Sequence, residues 1–269
     1  MKGGVSMARA NRHFIPGLIW HITHRCHNKE FLLKLKRDRR LWLRWLYEAK
    51  KRFNLCILDY MVTSNHIHLL VWDNGPRDVI PKSIHLIAGQ TAQNYNRRKN
   101  RKGAYWEDRY HATAVDSDSH FLRCVVYIDL NMVRAGVVNH PLEWPFCGFY
   151  EVQNIPRRRS LIQYGALMRL FETEDLQSLQ RKHRELIAET LKKNVLTRQP
   201  QWTESIAVGR REFVERIKTR LGVKAKGRET IDSLVGYELR EGESSDYPIF
   251  GLKNEDLSPE NRFKWNVTP

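Results

Sequence analysis

Two histidines one residue apart, His66 and His68, sit inside the run Tyr60-Met-Val-Thr-Ser-Asn-His66-Ile-His68-Leu-Leu-Val-Trp72. Strand periodicity points both imidazoles to one face and Ile67, Leu69 and Val71 to the other. Such a pair can hold one divalent cation, or can be satisfied as core or surface histidines, and the spacing alone leaves both open. Further along, Tyr127 and Asn131 are four apart in a helical pattern and so lie one turn apart, on the side that also carries Arg123 and Arg134. If a cation held by His66 and His68 also takes the Asn131 oxygen, a phosphate can complete its shell, with the Tyr127 phenol beside phosphorus. The cation would polarise the phosphoryl oxygens and offset charge in the transition state. A phenol with a pKa of about 10 is a poor nucleophile when protonated and a good leaving group later. That suits reversible strand transfer better than hydrolysis, because the ester link conserves the phosphodiester for a second attack. Imidazole and oxygen ligands favour Mg²⁺ or Mn²⁺ over a closed structural zinc. The alternative is a tyrosine packed on a sheet, next to a helix-surface asparagine.

These side chains need a hairpin with a helix facing it, and the flanking sequence predicts both. Leu18 to His24 reads as a first strand, rich in β-branched and aromatic residues. On it, His21 and His24 fall on opposite faces, so core or substrate contact suits them better than joint ligation. Asp38 to Lys51 has Leu41, Trp42, Trp45, Leu46 and Ala49 at helical spacing. Phe53 to Met61 predicts a second strand, Ser64-Asn65 a turn, and His66 to Trp72 an antiparallel third. Ile80 to Tyr95 is helical, His111 to Val115 a short strand, and His120 to Val133 the helix that carries Tyr127. The order β-α-β-β-α-β plus one helix predicts an α+β, ferredoxin-like domain, an antiparallel sheet with helices on one face. The opposite face would then be free to hold a site.

The chain has 269 residues, and its 46 Lys and Arg against 30 Asp and Glu give a net charge of +16. That excess points to a polyanion, nucleic acid first. A mean hydropathy of -0.58 with 41% hydrophobic residues describes a soluble protein with a real core. Cys26, Cys56, Cys124 and Cys147 form no C-x-x-C and read as reduced core residues. No apolar run is long enough to span a membrane and no signal-peptide core is visible, so a cytoplasmic, nucleoid-associated protein is expected.

Phosphate contacts are expected from the basic run holding Arg97, Arg98, Lys99 and Arg101, and from Arg123 and Arg134 on either side of Tyr127. Arg109 can reach a phosphate, and Trp106 can stack on a base or pack internally. Pro141 to Pro145 and the Arg157-Arg158-Arg159 run mark a boundary, giving a catalytic domain at 1–150 and a mainly helical, basic region at 151–269. Amphipathic stretches at 161–171, 176–191 and 213–221 carry no catalytic cluster. Arg157, Arg158, Arg210 and Arg211 are the DNA candidates of this half, which can equally be a packed, stabilising appendage. Residues 1 to 13 read as a loose lead-in, and Glu238 to Asp256 as an acidic tail lying along the protein surface.

His66-Ile-His68 with its preceding Asn65, Tyr105-Trp-Glu-Asp-Arg-Tyr-His111, Val126-Tyr-Ile-Asp-Leu-Asn-Met-Val-Arg-Ala-Gly136 and His140-Pro-Leu-Glu-Trp144 resemble the IS200-like tyrosine transposases. The branch associated with repetitive extragenic palindromes is the most similar, over roughly residues 10 to 150. The resemblance implies that His66 and His68 bind the divalent ion with help from Asn131, and that Tyr127 is the nucleophile. It implies a single-stranded DNA substrate recognised through a hairpin, and a 5'-phosphotyrosine intermediate formed by a monomer or a homodimer. Two departures stand out. Thr63-Ser64 replaces the Met-Pro common before Asn-His, and Met132 replaces the proline common after the asparagine, so both departures bear on how the turn and the helix end are positioned. A hairpin-binding protein without turnover, and a metal-dependent phosphodiesterase with a structural Tyr127, remain the alternatives.

Overall fold

The computed structural model describes residues 15–73, 75–76, 78–193, 197–233 and 236–241. The lead-in of residues 1 to 13 lies outside the described residues, as does the expected acidic tail from residue 242 on, whereas Glu238 to Glu241, expected as the start of that tail, belong to a sheet strand. Strands β1 (Ile19–Arg25), β2 (Cys56–Val62), β3 (His66–Trp72) and β4 (His111–Val115) pair antiparallel in the order β2-β3-β1-β4. The predicted hairpin is in place, although Phe53 ends the preceding helix and the second strand starts at Cys56. Register sets the faces: Thr23 stands opposite His68, and His21 opposite both Leu70 and Thr113. Directly opposed residues share a face, so His21, Thr23, His66, His68 and Thr113 lie on one side of the sheet. Ile22, His24, Ile67 and Leu69 lie on the other.

Helices α1 (Lys36–Phe53) and α2 (Val79–Lys99) cover that second side, with Trp42, Ile84 and Ile87 meeting Ile22 and Ile67. Each ends on a left-handed asparagine, Asn54 (φ 56°) and Asn100 (φ 46°). Each also places three basic residues in its last turn, where cations favour the negative end of the helix dipole. In α2 these are Arg97, Arg98 and Lys99.

The histidine side of the sheet is not open, contrary to expectation. Helix α3 (Ser119–Asp129) lies over it, because the buried stripe of Phe121, Cys124, Val125 and Ile128 needs an apolar surface. The expected single helix pauses at Leu130 (φ -83°, ψ 6°) and resumes as α4 (Asn131–Arg134).

The second half is mainly helical, with α5 (Gly148–Gln153), α6 (Tyr164–Phe171), α7 (Leu176–Lys192), α8 (Gln201–Glu204) and α9 (Arg211–Leu221). It also extends the sheet, which the sequence reading missed. β5 (Ala207–Gly209) pairs parallel to β4, followed outward by β7 (Gly236–Glu241) and β6 (Arg228–Ser233), for seven strands among the described residues. Buried carboxylates tie the helices to the sheet. Asp129 accepts from Phe149 N at 3.1 Å and from His183 Nε2 at 2.7 Å. Glu151 accepts from Tyr60 Oη at 2.9 Å and from Leu161 N and Ile162 N at 2.8 and 2.9 Å. All four cysteines are buried and free. No described helix is long and apolar enough to cross a membrane.

Candidate active site

The β2–β3 turn fixes His66 through Thr63 and Asn65. Thr63 Oγ1 accepts from His66 N at 3.0 Å and donates to His66 O at 2.8 Å. The departure at Thr63 therefore supplies its own support for the turn. Asn65 Oδ1 accepts from His66 Nδ1 at 2.7 Å, with Thr63 Oγ1 at 3.0 Å from the same nitrogen. A proton held on Nδ1 leaves the lone pair on Nε2, the form a metal takes. Burial, then the charges of Arg25 and Arg134, lowers the His66 pKa to about 3, so the ring is neutral at physiological pH.

His68 is fully inside, with its ring 5.0 Å from that of His66. Its Nδ1 is 2.9 Å from His21 Nε2, and its Nε2 accepts from Asn131 Nδ2 at 3.0 Å. Burial, followed by the neighbouring imidazoles and arginines, holds its pKa well below the usual histidine value. His66 and Asn131 thus both lie against His68. A half-turn of the Asn131 amide brings its oxygen to where a cation on His68 Nε2 would sit. No group of three or more His, Cys, Asp or Glu that could hold a metal ion exists among the described residues. Two imidazoles and an amide oxygen therefore fit a hard divalent ion only if water or phosphate completes its shell.

Tyr127 joins them from α3. Its ring centroid is 5.8 Å from His68 and 6.1 Å from His21, both edge-on. At 7% exposure the phenol is nearly covered, and Trp202 from α8 lies 6.3 Å from it. Burial raises its pKa, and Arg134 works against that rise with its guanidinium 4.1 Å over the ring. Arg134 Nη2 also donates to the Tyr127 carbonyl at 2.7 Å, across the pause at Leu130. One arginine thus holds the tyrosine backbone and sets the field at its ring.

The predicted phosphate contacts divide. Arg97, Lys99, Arg109, Arg123, Arg157 and Arg158 are exposed. Arg98 pairs with Asp38, while Arg101 donates to Ala104 O at 2.8 Å and faces Glu30 at 3.6 Å. Arg210 makes a two-pronged pair with Asp116 at 2.8 and 3.2 Å, and Arg211 lies over Tyr237. Trp106 stacks on His24 at 4.1 Å and donates to Ala88 O, which is the internal packing weighed as its alternative. Arg157 and Arg158 precede the segment where Gln163 N bonds Ile57 O, at the β2 edge. The sequence reading missed His21 as a partner of the site, although its place on the histidine face was legible once β1 was registered against β3. Trp202 carried no signal for its bond to His21, since its backbone carbonyl makes that bond.

A solved REP-associated tyrosine transposase bound to a REP hairpin is similar at 21% identity, covering 55% of this chain and 87% of that one, with a TM-score of 0.48. A candidate transposase from Deinococcus radiodurans shares 15% identity over 51% of this chain and 98% of that one, with a TM-score of 0.32. No curated protein matches the sequence. Residues 15–131, the span that contains His66, His68, Tyr127 and Asn131, match the family model described as "Transposase IS200 like". Over that span the chain is similar to the IS200-like transposases.

Proposed function

We propose that the protein is a metal-dependent tyrosine transposase that cleaves and rejoins single-stranded DNA beside a hairpin, through a 5'-phosphotyrosine on Tyr127. The observation that carries this reading is the Tyr127 ring standing edge-on to His68 while Asn131 meets His68 Nε2. The order β2-β3-β1-β4 with α1 and α2 on one side is what a ferredoxin-like core would give. On this reading residues 1–150 hold the chemistry, and β5, β7 and β6 of the later region extend the sheet beside it.

In cleavage the Tyr127 oxygen attacks phosphorus, the new O–P bond forms, the bond to the 3' oxygen breaks and a 3'-hydroxyl leaves. The phenol gives up its proton as the bond forms, and Arg134 offsets the negative charge that burial would otherwise disfavour. In rejoining, a free 3'-hydroxyl attacks the phosphotyrosine and the phenolate departs. His66, His68 and Asn131 would hold Mg²⁺ or Mn²⁺, which when bound polarises the phosphoryl oxygens and offsets their charge. The net charge of +16 suits a DNA partner, and exposed Arg97, Lys99, Arg123, Arg157 and Arg158 are its phosphate contacts.

The test is a labelled hairpin-bearing single strand incubated with the protein and Mn²⁺ and resolved on a denaturing gel. A covalent protein–DNA adduct is expected. Nicking with no adduct would instead identify a phosphodiesterase, and binding without nicking a hairpin-binding protein.

A further inference from the structure

The Trp202 carbonyl, in the second half of the chain, connects to His68 through one intervening ring. His21 Nδ1 is 2.8 Å from Trp202 O, and His21 Nε2 is 2.9 Å from His68 Nδ1. The two imidazoles are nearly coplanar in orientation, 11° apart with centroids 5.1 Å apart. All of this is buried: His21 is 0% and His68 2% exposed. A carbonyl can only accept, so the His21 proton sits on Nδ1 and His21 Nε2 carries a lone pair. The proton between the rings then belongs to His68 Nδ1. His68 is left with its lone pair on Nε2, and Asn131 Nδ2 donates toward that atom.

We infer that His21, oriented by the Trp202 carbonyl, is a positioning residue that fixes His68 in the tautomer able to ligate a cation. The inference rests on reading His66 and His68 as cation ligands. The carbonyl is itself held in place. Thr113, opposite His21 on β4, donates to Ser205 O at 2.6 Å and approaches Trp202 O at 3.3 Å, while His111 Nε2 meets Ser205 O at 3.0 Å. This end of α8 is thus clamped to β4. His66 receives the same tautomer from Asn65 within its own turn. His68, in mid-strand with sheet neighbours on both sides, takes it from a segment beyond residues 15–131, the span shared with the family. Outer partners of this kind orient ligating histidines, and their loss weakens metal binding by about 10- to 100-fold.

Two measurements on the full chain decide it. In metal-free wild type, imidazole ¹⁵N spectra are expected to show His68 protonated on Nδ1 and bare on Nε2; a proton on Nε2 would overturn the inference. Mn²⁺ binding is then measured without DNA for wild type, His21→Leu and His21→Gln, with melting curves to confirm folding. Leucine keeps the volume and removes both bonds, so binding should weaken roughly 10- to 100-fold. Glutamine can accept from His68 with its oxygen and donate to Trp202 with its amide, so it should restore most of the affinity. Equal affinity in wild type and a folded His21→Leu would overturn the inference, as would equal loss in both variants. If wild type binds no Mn²⁺, the cation reading fails, and the ¹⁵N spectrum still decides the tautomer.

Discussion

The two sides of β3 carry opposite duties. Ile67 and Leu69 face α1 and α2 in a dry apolar layer with Ile22, Trp42, Ile84 and Ile87. His66 and His68, their immediate neighbours, face α3, where Asn65 holds His66 and a hydrogen-bonded chain runs from Asn131 through His68 and His21 to the Trp202 carbonyl. A period of two lets one short strand serve both the core and the site. It also means that stability and chemistry can be separated by substitutions one residue apart.

The largest expected effect is on the histidine side. His68→Ala should lower adduct formation by roughly 10³-fold, equivalent to about 4 kcal/mol of transition-state stabilisation, in gel assays with Mn²⁺. On the other side, Ile67→Ala should cost about 2–5 kcal/mol of stability in denaturant unfolding, with adduct formation per folded molecule retained. A change that moved both quantities equally at either position would break the comparison.

Smaller effects test the polar ties beyond the site. A methyl group at Gly148 would run into the Asp59 carboxylate and the Tyr60 backbone, so Gly148→Ala should destabilise by about 1–3 kcal/mol. Asp59 is buried with Oδ1 on Tyr60 N at 2.8 Å, and Oδ2 has no hydrogen-bond partner among the described residues. Burial, with Asp129 and Glu151 nearby, raises its pKa well above the usual carboxylate value. An acid raised in the folded state contributes its stability below the unfolded pKa of about 3.9 and loses it as pH rises through the folded value. Asp59→Asn should therefore raise the neutral-pH melting temperature by about 2–4 °C, corresponding to about 1 kcal/mol, and flatten its decline above pH 4. A lower melting temperature would show that the carboxylate is needed in its ionised form.

What could be read from the chain follows from how local each feature is. The hairpin strand His66 to Trp72 and the strand His111 to Val115 depend on neighbours in sequence, and both are found. The contacts that the sequence hid are long-range. β5 has three residues, too few to show alternation, and its pairing is with β4 some ninety residues earlier. Arg210 looked like a DNA contact because Asp116, its partner, is equally distant in sequence. Covering of the histidine face by α3 could not be inferred from a strand order that leaves that face formally open. The Trp202 carbonyl has no residue signature at all, since any side chain could stand at that position and present the same oxygen.

The central claim is that Tyr127, over His68 and beside Asn131, becomes covalently joined to DNA. Its most direct test is the mass-spectrometric mapping of the adduct formed with a hairpin-bearing single strand and Mn²⁺, in wild type and in Tyr127→Phe. The account predicts a phosphorylated Tyr127 in the wild-type peptide and no adduct in a folded Tyr127→Phe. An adduct that persists in Tyr127→Phe, or one mapped to another residue, would contradict it.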